Sequence, residues 1–213
     1  MTLSPLVQQT LTKLEERSRR ERPELAELNA RGAAATRAAA PRLMLDVGPD
    51  VGRLLNLLAR VLRARHVVEI GGSCGYSTIW LAEAVAGSQG RVTSIEIDSQ
   101  KAAEQRENLA AAGLLEHVDL VVEDASSVLP RLAEPVDLVL IDHWKDLYVR
   151  DFDLVWPKVR PGGLVVADNI LVPEATRAQM LAYVEHVRSA PAAISHTVAV
   201  GDGVEITHRT AQA

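Results

Sequence analysis

The chain concentrates its polar chemistry in four short runs, each following an apolar stretch: "EIGGSCGYS" at 69–77, "SIEID" at 94–98, "LIDHWKD" at 140–146 and "VVADN" at 165–169. Glycines in the first run let a backbone turn tightly and approach a ligand before a helix starts. Glu96 in the second offers acceptor oxygens to both hydroxyls of a ribose. The third and fourth runs bring Asp142, Asp168 and Asn169, hard oxygen donors with no cysteine or histidine cluster nearby. Such a set suits Mg²⁺, which keeps its other positions for water or substrate. Asp142 and Asp168 can also be read as caps of helices or loops, although an Asp-Asn pair facing another strand-end Asp is less easily explained that way. Asp124 in "VVEDAS" has two readings of equal weight, acceptance from an adenine amino group and capping of the next helix.

These runs need elements to bring them together. A helical spacing in "GPDVGRLLNLLARVLRA" precedes the β-branched strand "HVVEI", and strands and helices then alternate through "RVTSIEI", "SQKAAEQRENLAAAG", "VDLVVED", "SSVLPRLA", "VDLVLID", "LYVRDFDLVWPKV" and "GGLVVAD". Repeated βα steps imply a parallel sheet, and the unbroken apolar run 138–141 fits a strand covered by helices on both faces. The fold class is therefore α/β, an open doubly wound sandwich, and its ligand belongs at the carboxyl ends of the strands. The ending "HTVAVGDGVEITH" reads as an antiparallel hairpin at the sheet edge. Residues 1–42 form a helical preface to a core at 43–213, in one domain. Ser4 and Pro5 suit the start of its first helix. Its basic run "RSRRER", surrounded by glutamates, reads as a solvated face without function. "RGAAATRAAAPR" reads as a short helix or a connector.

Composition excludes several classes. A length of 213 residues with 47% hydrophobic content supports one buried domain. A net charge of -5 argues against nucleic-acid and anionic-membrane partners and for small molecules. The single cysteine, Cys74, rules out an intrachain disulfide and fits a reducing compartment. With no signal-like start and no apolar stretch of 18 residues, the expectation is a soluble, cytoplasmic protein.

The glycine spacing discriminates among nucleoside cofactors. A dinucleotide loop needs a glycine where Ser73 stands, which disfavours an NAD-dependent oxidoreductase. The spacing E-x-G-x-x-x-G at 69–75 resembles class I methyltransferases, which bind S-adenosylmethionine. A purely structural glycine turn is the alternative. Taken together, "EIGGSCGYS", "SIEID", "LIDHWKDLY" and "VVADN" resemble the catechol O-methyltransferases, within the metal-dependent small-molecule O-methyltransferases. "DHWKD" is the most specific element, because the wider caffeoyl-CoA group more often has D-A-D-K there.

The resemblance runs from about Leu43 to the final hairpin. It implies a Rossmann-like, mostly parallel seven-stranded sheet with a C-terminal antiparallel hairpin, and methyl transfer from S-adenosylmethionine to a hydroxyl of a catechol or similar vicinal diphenol. Asp142, Asp168 and Asn169 match the family's Mg²⁺ ligands and Lys145 its general base; without the resemblance, Lys145 reads as a surface lysine paired with Asp146. Gly71, Tyr76, Ser77 and Glu96 match the cofactor loop and ribose acid. Ser126, His143 and Trp144 match residues beside the adenine, with Asp124, Ala125 and Asp142 in the same cofactor segments. Val47 and Gly48 match the segment against the methionine end. On the acceptor side, Lys145 and Asn169 are joined by two departures. Leu43 falls where the animal enzymes have an aromatic gatekeeper, and His196 where the family has a glutamate binding the second hydroxyl. His196 reads equally as an ordinary edge-strand residue. The alternatives are an O-methyltransferase with a non-catechol acceptor and a nucleotide-binding module without turnover. The preface can cover the acceptor slot or pack against a second subunit in a homodimer.

Overall fold

The computed structural model describes residues 3–132 and 135–211. Its first helix, α1 (Pro5–Ala30), starts where the Ser4 hydroxyl accepts from the Val7 N–H at 3.3 Å, and Pro5 occupies the first turn, where no N–H is needed. Val7, Leu11 and Leu14 bury one stripe of it. After α2 (Ala33–Ala39) and α3 (Gly48–Val61) come β1 (His66–Ile70), α4 (Tyr76–Ala86), β2 (Arg91–Ile95), α5 (Ser99–Ala111), β3 (Val118–Val121), α6 (Ala125–Val128), β4 (Val136–Ile141), α7 (Tyr148–Val155), β5 (Val159–Ala167), α8 (Arg177–Ser189), β6 (Ala193–Val198) and β7 (Val204–Arg209).

The seven strands form one sheet in the order β3-β2-β1-β4-β5-β7-β6. The first five run parallel, and β7 pairs antiparallel with both β5 and β6. The expected hairpin is present, with β7 inserted between β5 and β6, although β6 precedes it in sequence. Within β4, Leu138 and Leu140 point into one core cluster and Val139 and Ile141 into the other, all four fully buried. The apolar run is therefore two alternating faces, each covered by helices. The strand order reverses between β1 and β4, which opens a crevice at their carboxyl ends.

Several expectations shift. The strands expected over 91–97 and 118–124 end at Ile95 and Val121, so Glu96 and Asp124 lie in loops beyond them. The helix expected over 126–133 is one α-turn followed by a 3₁₀ turn at Leu129–Arg131; Ala133 lies outside the described residues. The 33–39 stretch is helical. The "RSRRER" run is not merely a solvated face: Arg17 bonds Glu21 at 2.6 Å and pairs with Glu104 on α5, which docks α1 onto the core. No helix was expected over 177–189, yet α8 buries Met180, Tyr183 and Val187, an i, i+3, i+7 stripe that seals the second face. Among the described residues, no helix is long and apolar enough to cross a membrane.

Candidate active site

Hydrogen bonds that continue the sheet one residue past each strand place the polar runs side by side. Gly71 N donates to Ile95 O at 2.9 Å, Asp142 N to Ile70 O at 2.9 Å, and Asp168 N to Ile141 O at 3.1 Å. Gly71 has φ +96°, and a Cβ there would overlap the Asp142 carbonyl. Only glycine lets the loop after β1 touch the segment after β4.

On the glycine-loop side, protein groups satisfy the buried carboxylate. The fully buried Glu69 accepts from Ser77 Oγ at 2.6 Å, Thr78 Oγ1 at 2.6 Å and Ser94 Oγ at 2.5 Å. Burial pushes its carboxyl up, partly offset by those three hydroxyls. Ser77 thus faces the core beneath the loop. Tyr76 is buried and its hydroxyl donates to Glu15 of α1 at 2.8 Å. Glu96 braces the loop, accepting from Ser73 N and Asp98 N at 2.8 Å each. Among the described residues no side chain caps α4, so its first-turn N–H groups remain available to an anionic ligand. The Val47 side chain is buried, leaving its backbone to meet a ligand, while Gly48 N bonds Asp46 at 2.9 Å.

Asp124 caps α6, accepting from Ser126 N at 2.9 Å and from Ser126 Oγ, and those two bonds hold its carboxyl below the usual range. Ala125 is buried behind it. His143 Nε2 lies 2.7 Å from Asp151 Oδ2, and the ring stacks on Tyr148 at 5.4 Å. Asp151 is fully buried; desolvation would raise its carboxyl, but His143 and Arg150 hold it below the usual range. Trp144 lies under the Arg37 guanidinium at 4.6 Å, and Arg37 also pairs with Asp146 at 3.0 Å.

The acidic side is different. Lys145 Nζ is 3.3 Å from Asp142 Oδ1 and donates to the Tyr148 hydroxyl at 2.7 Å. That hydroxyl donates to Asp168 O at 3.2 Å, tying the third and fourth runs together. Lys145 pairs with Asp142, whereas Asp146 is taken by Arg37, so the surface-pair reading fails. Asp168 is 1% exposed, and its Oδ1 has no hydrogen-bond partner among the described residues. Burial first, then the like charge of Asp142, push its carboxyl well above the ordinary range. Among the described residues no group of three or more His, Cys, Asp or Glu side chains is gathered for a metal ion. The set here is two carboxylates and the Asn169 amide. An orphaned buried oxygen beside a like charge is what a hard divalent cation relieves, so the donor chemistry fits one.

Two residues expected on the acceptor side make no hydrogen bond to this cluster among the described residues. His196 is exposed on the edge strand β6, opposite Ile206. Leu43 is buried against Leu28 and Ala39 beneath the N-terminal helices, lining a narrow cleft with Leu45 and Asp46. The structure also brings in Asp202, which the sequence offered only as a turn residue: its Oδ2 lies 3.5 Å from Asn169 Nδ2.

Comparison with known proteins agrees with this architecture. The family model of the methyltransferase domain matches residues 68–170. The chain is 38% identical over 131 residues to the catechol O-methyltransferase of Niastella koreensis, covering 60% of this chain and 59% of that protein. It is 41% identical over 140 residues to the catechol O-methyltransferase of Mycobacterium tuberculosis, covering 65% of this chain and 62% of that one. The alignments thus span about three fifths of each relative's length. The O-methyltransferase TomG of Streptomyces achromogenes, involved in tomaymycin synthesis and solved with S-adenosylmethionine, superposes with a TM-score of 0.73 at 31% identity, over 82% of this chain and 87% of that one. The chain belongs to the class I O-methyltransferases, in their catechol O-methyltransferase-like branch.

Proposed function

We propose that this protein transfers a methyl group from S-adenosylmethionine to a hydroxyl of a catechol or similar vicinal diphenol, with Mg²⁺ held by Asp142, Asp168 and Asn169. The observation that carries the reading is the joining of Lys145, Asp142 and Asp168 at the ends of β4 and β5, directly across from the glycine loop. The sulfonium supplies an already activated methyl group, and the cation, as a Lewis acid, favours the ionised form of a bound hydroxyl.

The remaining work falls to the chain itself. Lys145 is the base that takes the hydroxyl proton at Nζ, and Asp142 and the Tyr148 hydroxyl fix where that nitrogen stands. First-turn N–H groups of α4 hold the cofactor's carboxylate, while Glu96 receives the ribose and Ser126, His143 and Trp144 flank the adenine. Arg37 stacks over Trp144 and pairs with Asp146, which holds the Trp144 ring in place beside Lys145.

A second reading within the same chemistry is a non-catechol acceptor, such as a hydroxylated polyketide, flavonoid or amino-acid-derived phenol. The observation favouring it is that Leu43, which is no aromatic, is buried against Leu28 and Ala39.

Methyl transfer from labelled S-adenosylmethionine to a panel of catechols and monophenols, with Mg²⁺ and with a chelator, tests both. Chelator-sensitive methylation of catechols alone is the expected result. Binding of the cofactor without methylation of any catechol overturns the catechol reading and leaves the second.

A further inference from the structure

Three segments with a proposed cofactor role meet on one residue, Ser73. It belongs to the glycine loop; its N–H donates to Glu96 Oε2 at 2.8 Å, and its hydroxyl donates to Met44 O, just ahead of Val47 and Gly48. Met44 is fixed from its other side as well, its N–H donating to Glu21 of α1 at 2.7 Å. Ser73 holds φ +45°, a left-handed conformation that is unfavourable for a residue with a Cβ and persists only where the surroundings enforce it. The enforcing group is Lys101, whose Nζ donates to Ser73 Oγ at 3.1 Å. With a lone pair of the hydroxyl taken by an ammonium, the hydroxyl proton turns to the Met44 carbonyl and its bond there strengthens.

Lys101 stands where an ammonium is disfavoured. It is 7% exposed; among the described residues Ser73 Oγ is the only hydrogen-bond partner of its Nζ, and no carboxylate lies within ion-pair distance. It sits in the first turn of α5, the end at which a helix dipole repels a cation. Burial without an opposite charge opposes folding too. Arg17, the other cation of this region, is by contrast paired with Glu21 and Glu104. A side chain that destabilises its own surroundings and yet holds a ligand loop is a mark of function rather than of architecture.

We infer that Lys101 is a positioning residue of the cofactor site: through the Ser73 hydroxyl it locks the glycine loop to residues 44–48 and so presets the pocket for the methionine end of S-adenosylmethionine. This rests on the cofactor reading proposed above and is independent of the acceptor. A loop already held in its bound form spares the ligand the entropy of ordering it, so the lock is read out as affinity.

The test is calorimetric titration of S-adenosylhomocysteine into the full chain, for the wild type, Lys101→Met, Ser73→Ala and the double variant, with Tm of the ligand-free proteins measured alongside. Methionine nearly keeps the length of the lysine side chain and removes both charge and donor. Lys101→Met is expected to weaken S-adenosylhomocysteine by roughly 3- to 10-fold, what one hydrogen bond of ordinary net strength controls. Its Tm should nevertheless stay level or rise by up to about 2–4 °C, since a disfavoured ammonium has been removed. Ser73→Ala should weaken binding by a similar factor, and the double variant no further, because both substitutions break one link. KM for S-adenosylmethionine should rise in step while kcat stays within about twofold. Equal S-adenosylhomocysteine affinity in the wild type and Lys101→Met overturns the inference and leaves the cofactor reading standing. Additive losses in the double variant overturn it as well. A Lys101→Met protein that loses Tm along with affinity, or does not fold, also overturns it, by making Lys101 part of the scaffold. A wild type that binds no S-adenosylhomocysteine removes the cofactor reading itself, and the inference with it.

Discussion

Glu69 and Asp168 are both buried carboxyls at strand ends, and burial pushes both upward, yet their surroundings are opposite. Glu69 receives three hydroxyl protons and lies at the centre of a network that extends through Ser94 and Thr78 to the Gln105 amide nitrogen. Asp168 has an oxygen with no partner and a second carboxylate for a neighbour. The first acid is saturated by the protein and acts as scaffold. The second is left short of positive charge, which is the condition of a group shaped for a ligand. Buried polar residues in this fold therefore divide by how completely the chain itself satisfies them.

That contrast can be broken at several points. The largest effect is expected at Glu69: Glu69→Ala strands three buried hydroxyls and leaves a cavity, for a loss of about 3–5 kcal/mol in urea unfolding. A loss below about 1 kcal/mol would return Glu69 to the class of ordinary strand residues. Next comes Asp151, the saturated acid beneath His143. Its carboxyl is held below the usual range in the fold, so its contribution is present above the unfolded carboxyl value near ~4 and disappears as pH falls through the lower folded value. Asp151→Asn should cost about 1–3 kcal/mol at neutral pH, and the gap from wild type should close at strongly acid pH. A gap independent of pH would assign the residue to packing.

The smallest effect carries the opposite sign. Asp168 is pushed up, so its ionisation opposes folding once pH rises above the unfolded value near ~4. In the presence of a chelator, Asp168→Asn should stabilise the protein by about 1 kcal/mol at neutral pH, with methyl transfer lost. Destabilisation of the chelated protein would place Asp168 with Glu69.

Local pattern carried much of this architecture. β1 spans the residues that its β-branched run predicts, and each polar run sits just past an apolar one because a parallel strand must end where its buried stretch ends. The helix α8 was legible too, in the spacing of Met180, Tyr183 and Val187, but weakly beside the stronger strand signals around it. Other features depend on distant partners. Arg17 pairs with a residue 87 positions away, which no helical spacing reveals. Asp202 reaches Asn169 only because Ala167 registers against Glu205, a pairing across α8 and β6. His196 is placed by counting back from the turn, and counting gives position along a strand without saying which strand stands between it and the site.

The insertion of β7 between β5 and β6 also governs when this molecule becomes complete. Its Val204, Glu205 and Thr207 are fully buried, so the strand is internal, yet it is synthesised after both strands that it pairs with. Until it docks, β5 has an open edge and the turn that clamps onto residues 170–172 does not exist. The helices on the first face can assemble while synthesis proceeds, but the sheet beyond β5 is finished only after translation has passed residue 209. A nascent chain is thus able to form the crevice between β1 and β4 well before the turn at 199–203 reaches residues 170–172.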